Sequence, residues 1–319
     1  MQRHAPLSSG FHGKECASEV LKKLLLLSYD GRIDLFAAVA IHHTGVHRKP
    51  FMHLCRVLLV VGAASIAGCG ISQDQELALG AADAAKVDSQ LPLIHDTAIT
   101  RYVATLGKSM ASRTSRSDLD WHFAVVNSSE VNAFALPGGF IYVNRGAIEQ
   151  ADREDQLAGI MGHEIGHVVR RHSVKQLEKR ERGEVGLVML CTLTRACRTL
   201  GGQVAIDVGA NALVARYSQR DEAEADSEGV VNTMRAGIDP EGLPSFFQKL
   251  LDIQKQQPTA VEAFFSTHPT DQSRVAATRR QIAELPGNPA AALRRDGPEF
   301  HSIQERVRAL PKPPPQPSP

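Results

Sequence analysis

The chain has 319 residues, 43% of them apolar and 22% charged, a globular composition able to bury the core of one large domain or two small ones. Its formal net charge of +1 provides no sequence-wide basic field, which argues against charge-driven binding of nucleic acid and against broad adhesion to anionic membranes. Function is therefore to be sought in a local site.

In chain order, the first signal is Met52-His53-Leu54-Cys55-Arg56, followed by an apolar or small run over Val57–Ala67 and then Gly68-Cys69. The run is too short to span a bilayer and has the length of the apolar region of an export signal. Its end, Ile66-Ala67-Gly68-Cys69, resembles the lipobox of bacterial lipoproteins, in which the signal is cut before the cysteine and that cysteine is lipidated. The competing reading is a buried apolar segment with a chance cysteine. The resemblance implies a mature start at Cys69, a lipid anchor to a membrane, a periplasmic location and, because Gly70 rather than Asp follows, sorting to the outer membrane. Residues 1–68 are then an upstream extension and signal peptide, with translation expected to begin at Met52. His42, His43 and His47 lie in this extension without a carboxylate or cysteine beside them, so they are not read as metal ligands.

Helix formers fill Ser72–Lys86, and a second, amphipathic helix is expected over Asp96–Ser112, with Ile99, Tyr102, Val103, Leu106 and Met110 as its core stripe. Trp121–Val126 reads as a strand, with His122 in a structural role. Two further strand-like runs flank Pro137-Gly138-Gly139 within Val131–Asn144, which predicts a hairpin or sharp bend. This stretch fits an ordinary sheet strand or an edge strand that pairs with an extended peptide through its backbone.

A long helix is expected from an N-cap at Asp152 to Lys179, burying Leu157, Met161, Ile165 and Val168. It carries His163-Glu164-Ile165-Gly166-His167. Histidines four apart project from one helix face a turn apart, so both can bind one zinc ion, while Glu164 stands beside it as a base. Zinc on such ligands lowers the pKa of a bound water, and the carboxylate takes its proton as the water attacks a peptide carbonyl. His172, five beyond His167 and about 140° round a regular helix, is expected in a structural or surface role.

Over 180–215 charged and apolar stretches alternate without a run long enough for a membrane span. Cys191 and Cys197 there either form a small-loop disulfide or stay apart; both readings stand. A helix over Ser218–Arg235, stopping at Gly237, places Glu222 and Asp226 on one face. A hydrolytic zinc site needs a third protein ligand and an open position for water; Glu222 can supply the ligand while Asp226 hydrogen-bonds a ligating histidine. Arg220 is expected to fix a carboxylate.

His163-Glu164-x-x-His167 followed by Glu222-x-x-x-Asp226 resembles the gluzincin family that includes HtpX-, BepA- and LoiP-type peptidases and the CAAX prenyl proteases. The resemblance spans about residues 75–285. It implies Glu164 as catalytic base, His163, His167 and Glu222 as ligands of one zinc ion per chain, and Asp226 as support. It also implies that Asn132, Ala133, Phe134, Gly138 and Gly139 bind substrate. The His268-Pro269 dipeptide resembles a family segment near the active site, where His268 occludes the metal, contacts substrate, or simply packs. A helix over 270–285 follows, Arg274 opening its basic face, and then a polar, Pro-rich C-terminal tail over 287–319.

The expected fold is thus α+β and mainly α-helical, a gluzincin-type metalloprotease domain over 69–286 with one small β-sheet and an active-site helix. The expected function is a zinc metalloendopeptidase of the bacterial periplasm acting on unfolded or misassembled envelope and outer-membrane proteins, with outer-membrane assembly machinery as a candidate partner. The alternative is a zinc-containing chaperone or assembly factor that binds unfolded chains without turnover; Glu164 favours the enzyme, because a binder has no use for a base.

Overall fold

A computed structural model describes residues 70–180, 217–285 and 293–313; the expectations for Cys69, the signal-like segment and the Cys191–Cys197 pair lie outside these residues. Helix α1 (Gln73–Gln90) opens with a capping box in which Ser72 Oγ accepts from Gln75 N–H and the Gln75 side chain accepts from Ser72 N–H. Helix α2 (Thr97–Ala111) is capped by Asp96, whose carboxylate accepts from the Ala98 and Ile99 amides, and it buries the expected stripe from Ile99 to Met110.

Strands β1 (His122–Val126), β2 (Ala133–Leu136) and β3 (Phe140–Asn144) form one sheet in the order β1-β3-β2. β1 runs parallel to β3, pairing Phe123 with Ile141, and β2 runs antiparallel to β3, pairing Ala135 with Ile141. The hairpin closes through Gly138 and Gly139, whose φ values of 80° and 105° suit glycine, as the Pro-Gly-Gly signal predicts. Side chains alternate across the sheet with period two. Val126, Leu136 and Tyr142 meet Ala84 and Val87 of α1 on one face, while Val125, Ala133, Ile141 and Val143 enter the main core on the other.

The main core lies between this second face, α2 and helix α4 (Glu154–Val169), which follows a short helix α3 (Arg145–Gln150). Two corrections to the long-helix expectation follow. Its N-cap is Arg153 rather than Asp152, whose carboxylate instead binds Lys249 Nζ at 2.6 Å. Its regular path ends at Val169, and a separate helical run occupies 172–180 because Arg171 takes a left-handed conformation, φ 56°. Long-range charge pairing accompanies the break: buried Glu76 of α1 accepts from Arg171 Nε at 2.7 Å and from both terminal nitrogens of Arg116 at 2.6 and 3.2 Å, and Arg116 also donates to Val168 O. A sequence window sees none of these partners.

Helix α5 (Gln219–Arg235), capped by Ser218 and followed by Gly237 at φ 81°, lies along α4. Helices α6 (Gly242–Gln256), α7 (Glu262–Thr267) and α8 (Gln272–Ala283) complete the surround of the site. Helix α9 (Pro298–Arg308) falls in the stretch read from sequence as a polar tail. Its Phe300, Ile303 and Val307, spaced for one helical face, are buried in the main core, so the packed region extends beyond residue 286. A Gln304 side chain also donates to Ile148 O and Ala151 O, at 3.0 and 2.6 Å. The architecture is α+β and mainly helical with one small sheet, as expected. Among the described residues no helix is long and apolar enough to cross a membrane.

Candidate metal centre

The seam between α4 and α5 sets the geometry. Added Cβ atoms would approach Thr233 Oγ1 at 2.8 Å from Gly162 and Ala225 O at 2.7 Å from Gly166, so the two helices pack at a distance that only glycine permits. That closeness brings Glu222 and Asp226 of α5 to His163 and His167 of α4, and all four are almost completely buried.

His163 Nε2 and His167 Nε2 face each other at 3.0 Å; Glu222 carboxylate oxygens stand 3.6 Å from the former and 3.4 Å from the latter. A fourth group, His268 at the end of α7, brings its Nδ1 to 3.3 Å from His163 Nε2 and 3.1 Å from Glu222 Oε1. One ligand atom from each of these four residues lies within 4.8 Å of the others. Tetrahedral zinc with bonds of about 2.0–2.1 Å separates its ligand atoms by roughly 3.4 Å, so the spacing suits a metal of that size. The charges fit too. Glu164, Glu222 and Asp226 place three carboxylates beside the Arg274 guanidinium and His268, an acidic set that suits a divalent cation.

Arg274, on the first turn of α8, is the residue that sequence reasoning missed. It donates to both Asp226 oxygens, at 2.6 and 2.7 Å, lies 2.5 Å from Glu222 Oε2, and sits over the Phe247 ring at 4.5 Å. Burial would raise the Asp226 carboxyl, but the charge and hydrogen bonds of Arg274 outweigh it and hold Asp226 below its ordinary value. Asp226 Oδ1 in turn lies 2.8 Å from His163 Nδ1, and this carboxylate acceptor fixes the proton on that nitrogen, leaving Nε2 free to bind. Burial lowers the His167 imidazole well below its ordinary value, keeping it neutral. The Glu222 carboxyl is likewise low: burial opposes ionisation, but the charge and hydrogen bond of neighbouring His268 prevail.

Glu164 stands apart. Burial pushes its carboxyl above the ordinary range, and among the described residues neither oxygen has a hydrogen-bond partner, although His268 Nε2 is 3.4 Å from Oε1. A buried carboxylate left without donors is a group held for a proton or a ligand. It faces a cleft lined by Phe134, Ala135, Leu136, Leu177, Tyr217 and His268.

The other expected site residues are placed as follows. Phe134 lines the cleft; the Asn132 side chain accepts from the Ala133 amide; Gly138 and Gly139 form the hairpin turn, packed against Leu77 and Asp120–Trp121. Among the described residues β2 has β3 on one side only, which makes it the edge strand beside the cleft. Arg220 is exposed and pairs with Glu224 at 2.9 Å, the carboxylate-fixing role expected of it. His122 stacks on Phe140, a structural role. His172, expected to lie away from the ligands, is fully buried, with Nδ1 only 2.9 Å from His167 Nδ1; the break at Arg171 invalidates the regular-helix angle. Tyr217, unnoticed in the sequence, stacks on the His167 ring with centroids 3.9 Å apart.

Comparison with known proteins agrees with this geometry. The chain is 31% identical over 233 residues to a beta-barrel assembly-enhancing protease of Yersinia pestis, covering 71% of this chain and 48% of that one. The protein of the same name from Escherichia coli K12 is 31% identical over 228 residues, 69% of this chain and 46% of its own length. A mitochondrial metalloendopeptidase OMA1 of Schizosaccharomyces pombe is 31% identical over 188 residues, 59% of this chain and 54% of its own. The chain thus spans about half the length of these curated relatives. The metalloendopeptidase class read from the sequence is the class of the family whose profile, peptidase family M48, matches residues 98–282, and the chain belongs to that family.

Proposed function

We propose that the chain is a zinc-dependent endopeptidase that cleaves unfolded or misassembled proteins of the bacterial envelope. The observation that carries the reading is Glu164, a buried carboxylate without donors, beside four groups spaced for one metal ion. His163, His167 and Glu222 would hold the ion, with His268 in the same cluster. Bound zinc supplies a Lewis acid that polarises the scissile carbonyl and acidifies the attacking water. Glu164 accepts the proton of that water and delivers it to the leaving amine. Asp226 and Arg274 hold His163 in register. His268 stands among these groups, 3.4 Å from Glu164 Oε1, and acts as a gate that withdraws when a substrate enters.

Substrate backbone adds to β2. Asn144 N–H donates to Asn132 O across the hairpin, and the alternation of an antiparallel ladder then turns the backbone groups of Ala133 and Ala135 away from β3; the Ala133 amide donates to Asn132 Oδ1, so the Ala135 N–H is the one that faces an incoming strand. Such recognition reads backbone rather than side chains, which suits unfolded segments. A lipid at Cys69, a periplasmic location at the outer membrane and a link to outer-membrane assembly complete the reading. The lipobox-like run supports the first two, and the names of the bacterial relatives support the third.

The second reading, a zinc-bound chaperone without turnover, is favoured by one observation, a fourth potential ligand, His268, in the same cluster. Casein cleavage at matched zinc content decides between them. The wild type is expected to cut and Glu164→Gln to lose about 10²–10⁴-fold in rate with zinc retained, while His268→Ala cuts at least as fast as wild type. Zinc binding without cleavage in both wild type and His268→Ala would establish the chaperone reading.

A further inference from the structure

The outer supports of the two ligating histidines differ, and only one belongs to the recognised pattern. His163 Nδ1 rests on the Asp226 carboxylate. His167 Nδ1 meets His172 Nδ1 at 2.9 Å. Two ring nitrogens at that distance share one proton, and its place follows from the other end of His167: Nε2 faces His163 Nε2 and Glu222, so it must be free of hydrogen to bind a metal. The proton therefore sits on His167 Nδ1, and His172 Nδ1 is the acceptor. The hydrogen of neutral His172 is then on Nε2, which donates to Glu224 Oε2 at 3.4 Å.

We propose that His172 is a positioning residue for the metal centre: it fixes the tautomer and ring plane of His167, and Glu224 fixes His172 in turn. Three observations outside this chain of bonds support it. His172 has no exposed surface although it follows a break in a helix. The break itself, at Arg171 with φ 56° and tied to Glu76 at 2.7 Å, is what swings His172 back over His167. Tyr217 stacks on the face of the His167 ring at 3.9 Å, its ring 6.0 Å from that of His172, and its hydroxyl is 2.9 Å from Ser173 Oγ, next to His172.

The inference rests on the metal-site reading, and one set of measurements separates the two. Zinc affinity of the full chain is measured by competition with a chromophoric chelator, alongside the ligand-field spectrum of the cobalt(II) form and circular dichroism as a check of folding. His172→Phe, which keeps a ring but removes the acceptor, is expected to weaken zinc by about 10–100-fold and to shift the cobalt bands. His172→Asn, whose Oδ1 can take the place of Nδ1 as acceptor, is expected to recover most of the affinity. Equal affinity and spectra in wild type, Phe and Asn variants would overturn the positioning role. So would equal loss in folded Phe and Asn variants, because acceptor chemistry would then be irrelevant. A wild type that binds no zinc would instead overturn the metal-site reading itself.

Discussion

The two sides of the metal centre follow opposite rules. On the seam side, between α4, α5 and α8, each charged group has a partner: Arg274 bridges Asp226 and Glu222, Asp226 holds His163, and glycines bring the backbones together. On the cleft side, Glu164 is without hydrogen bonds and β2 presents an edge. The seam fixes where the ligands are, and the cleft keeps free the groups that a substrate and a proton will use. Rigid, satisfied packing and unsatisfied chemistry are thus separated by the width of one ion.

The contrast can be broken from either side. Arg274→Ala leaves two buried carboxylates facing each other without their cation, and should cost the metal-free protein about 3–5 kcal/mol in urea denaturation. A loss under about 1 kcal/mol would show that water already screens the cluster. Gly166→Ala drives a Cβ to 2.7 Å from Ala225 O, a backbone atom without room to yield, so a cost of about 1–3 kcal/mol is expected together with weaker zinc binding. Should stability fall while zinc affinity holds, the seam would not be what sets the ligand positions. The smallest effect belongs to the cleft. Ala135→Pro removes one outward-facing amide of β2 and should raise KM for a peptide substrate by about 3–10-fold with kcat and melting temperature nearly unchanged. An unaltered KM would remove β2 from the substrate path.

How much of this was legible in the sequence depended on whether the partners lay on one regular helix. His163 and His167, and Glu222 and Asp226, are each four apart, so local geometry alone placed each pair on one face. The hairpin was legible because Pro-Gly-Gly admits few other conformations. Arg274 was not, because its role depends on how α8 docks, and it stands among other arginines with nothing to mark it. His172 was misplaced for a sharper reason: the angle was correct for a continuing helix, and the helix does not continue. Arg171 carries no glycine or proline signal, and the partner of its side chain at the turn, Glu76, lies far back in the chain. Phe300, Ile303 and Val307 were in plain view as a helical stripe, but the polar and proline-rich residues around them masked it.

Glu76 has a mechanical meaning as well. One carboxylate joins the first helix to Arg116, to the Gly138 amide at 3.3 Å and to the turn at Arg171, from which His172 hangs. That carboxylate therefore couples the first helix to the turn that carries His172, alongside the packing of Ala84 and Val87 on the sheet and the Tyr142–Asp88 bond. Loss of the Glu76 charge would loosen the support of His172 while the buried α4–α5 seam still holds.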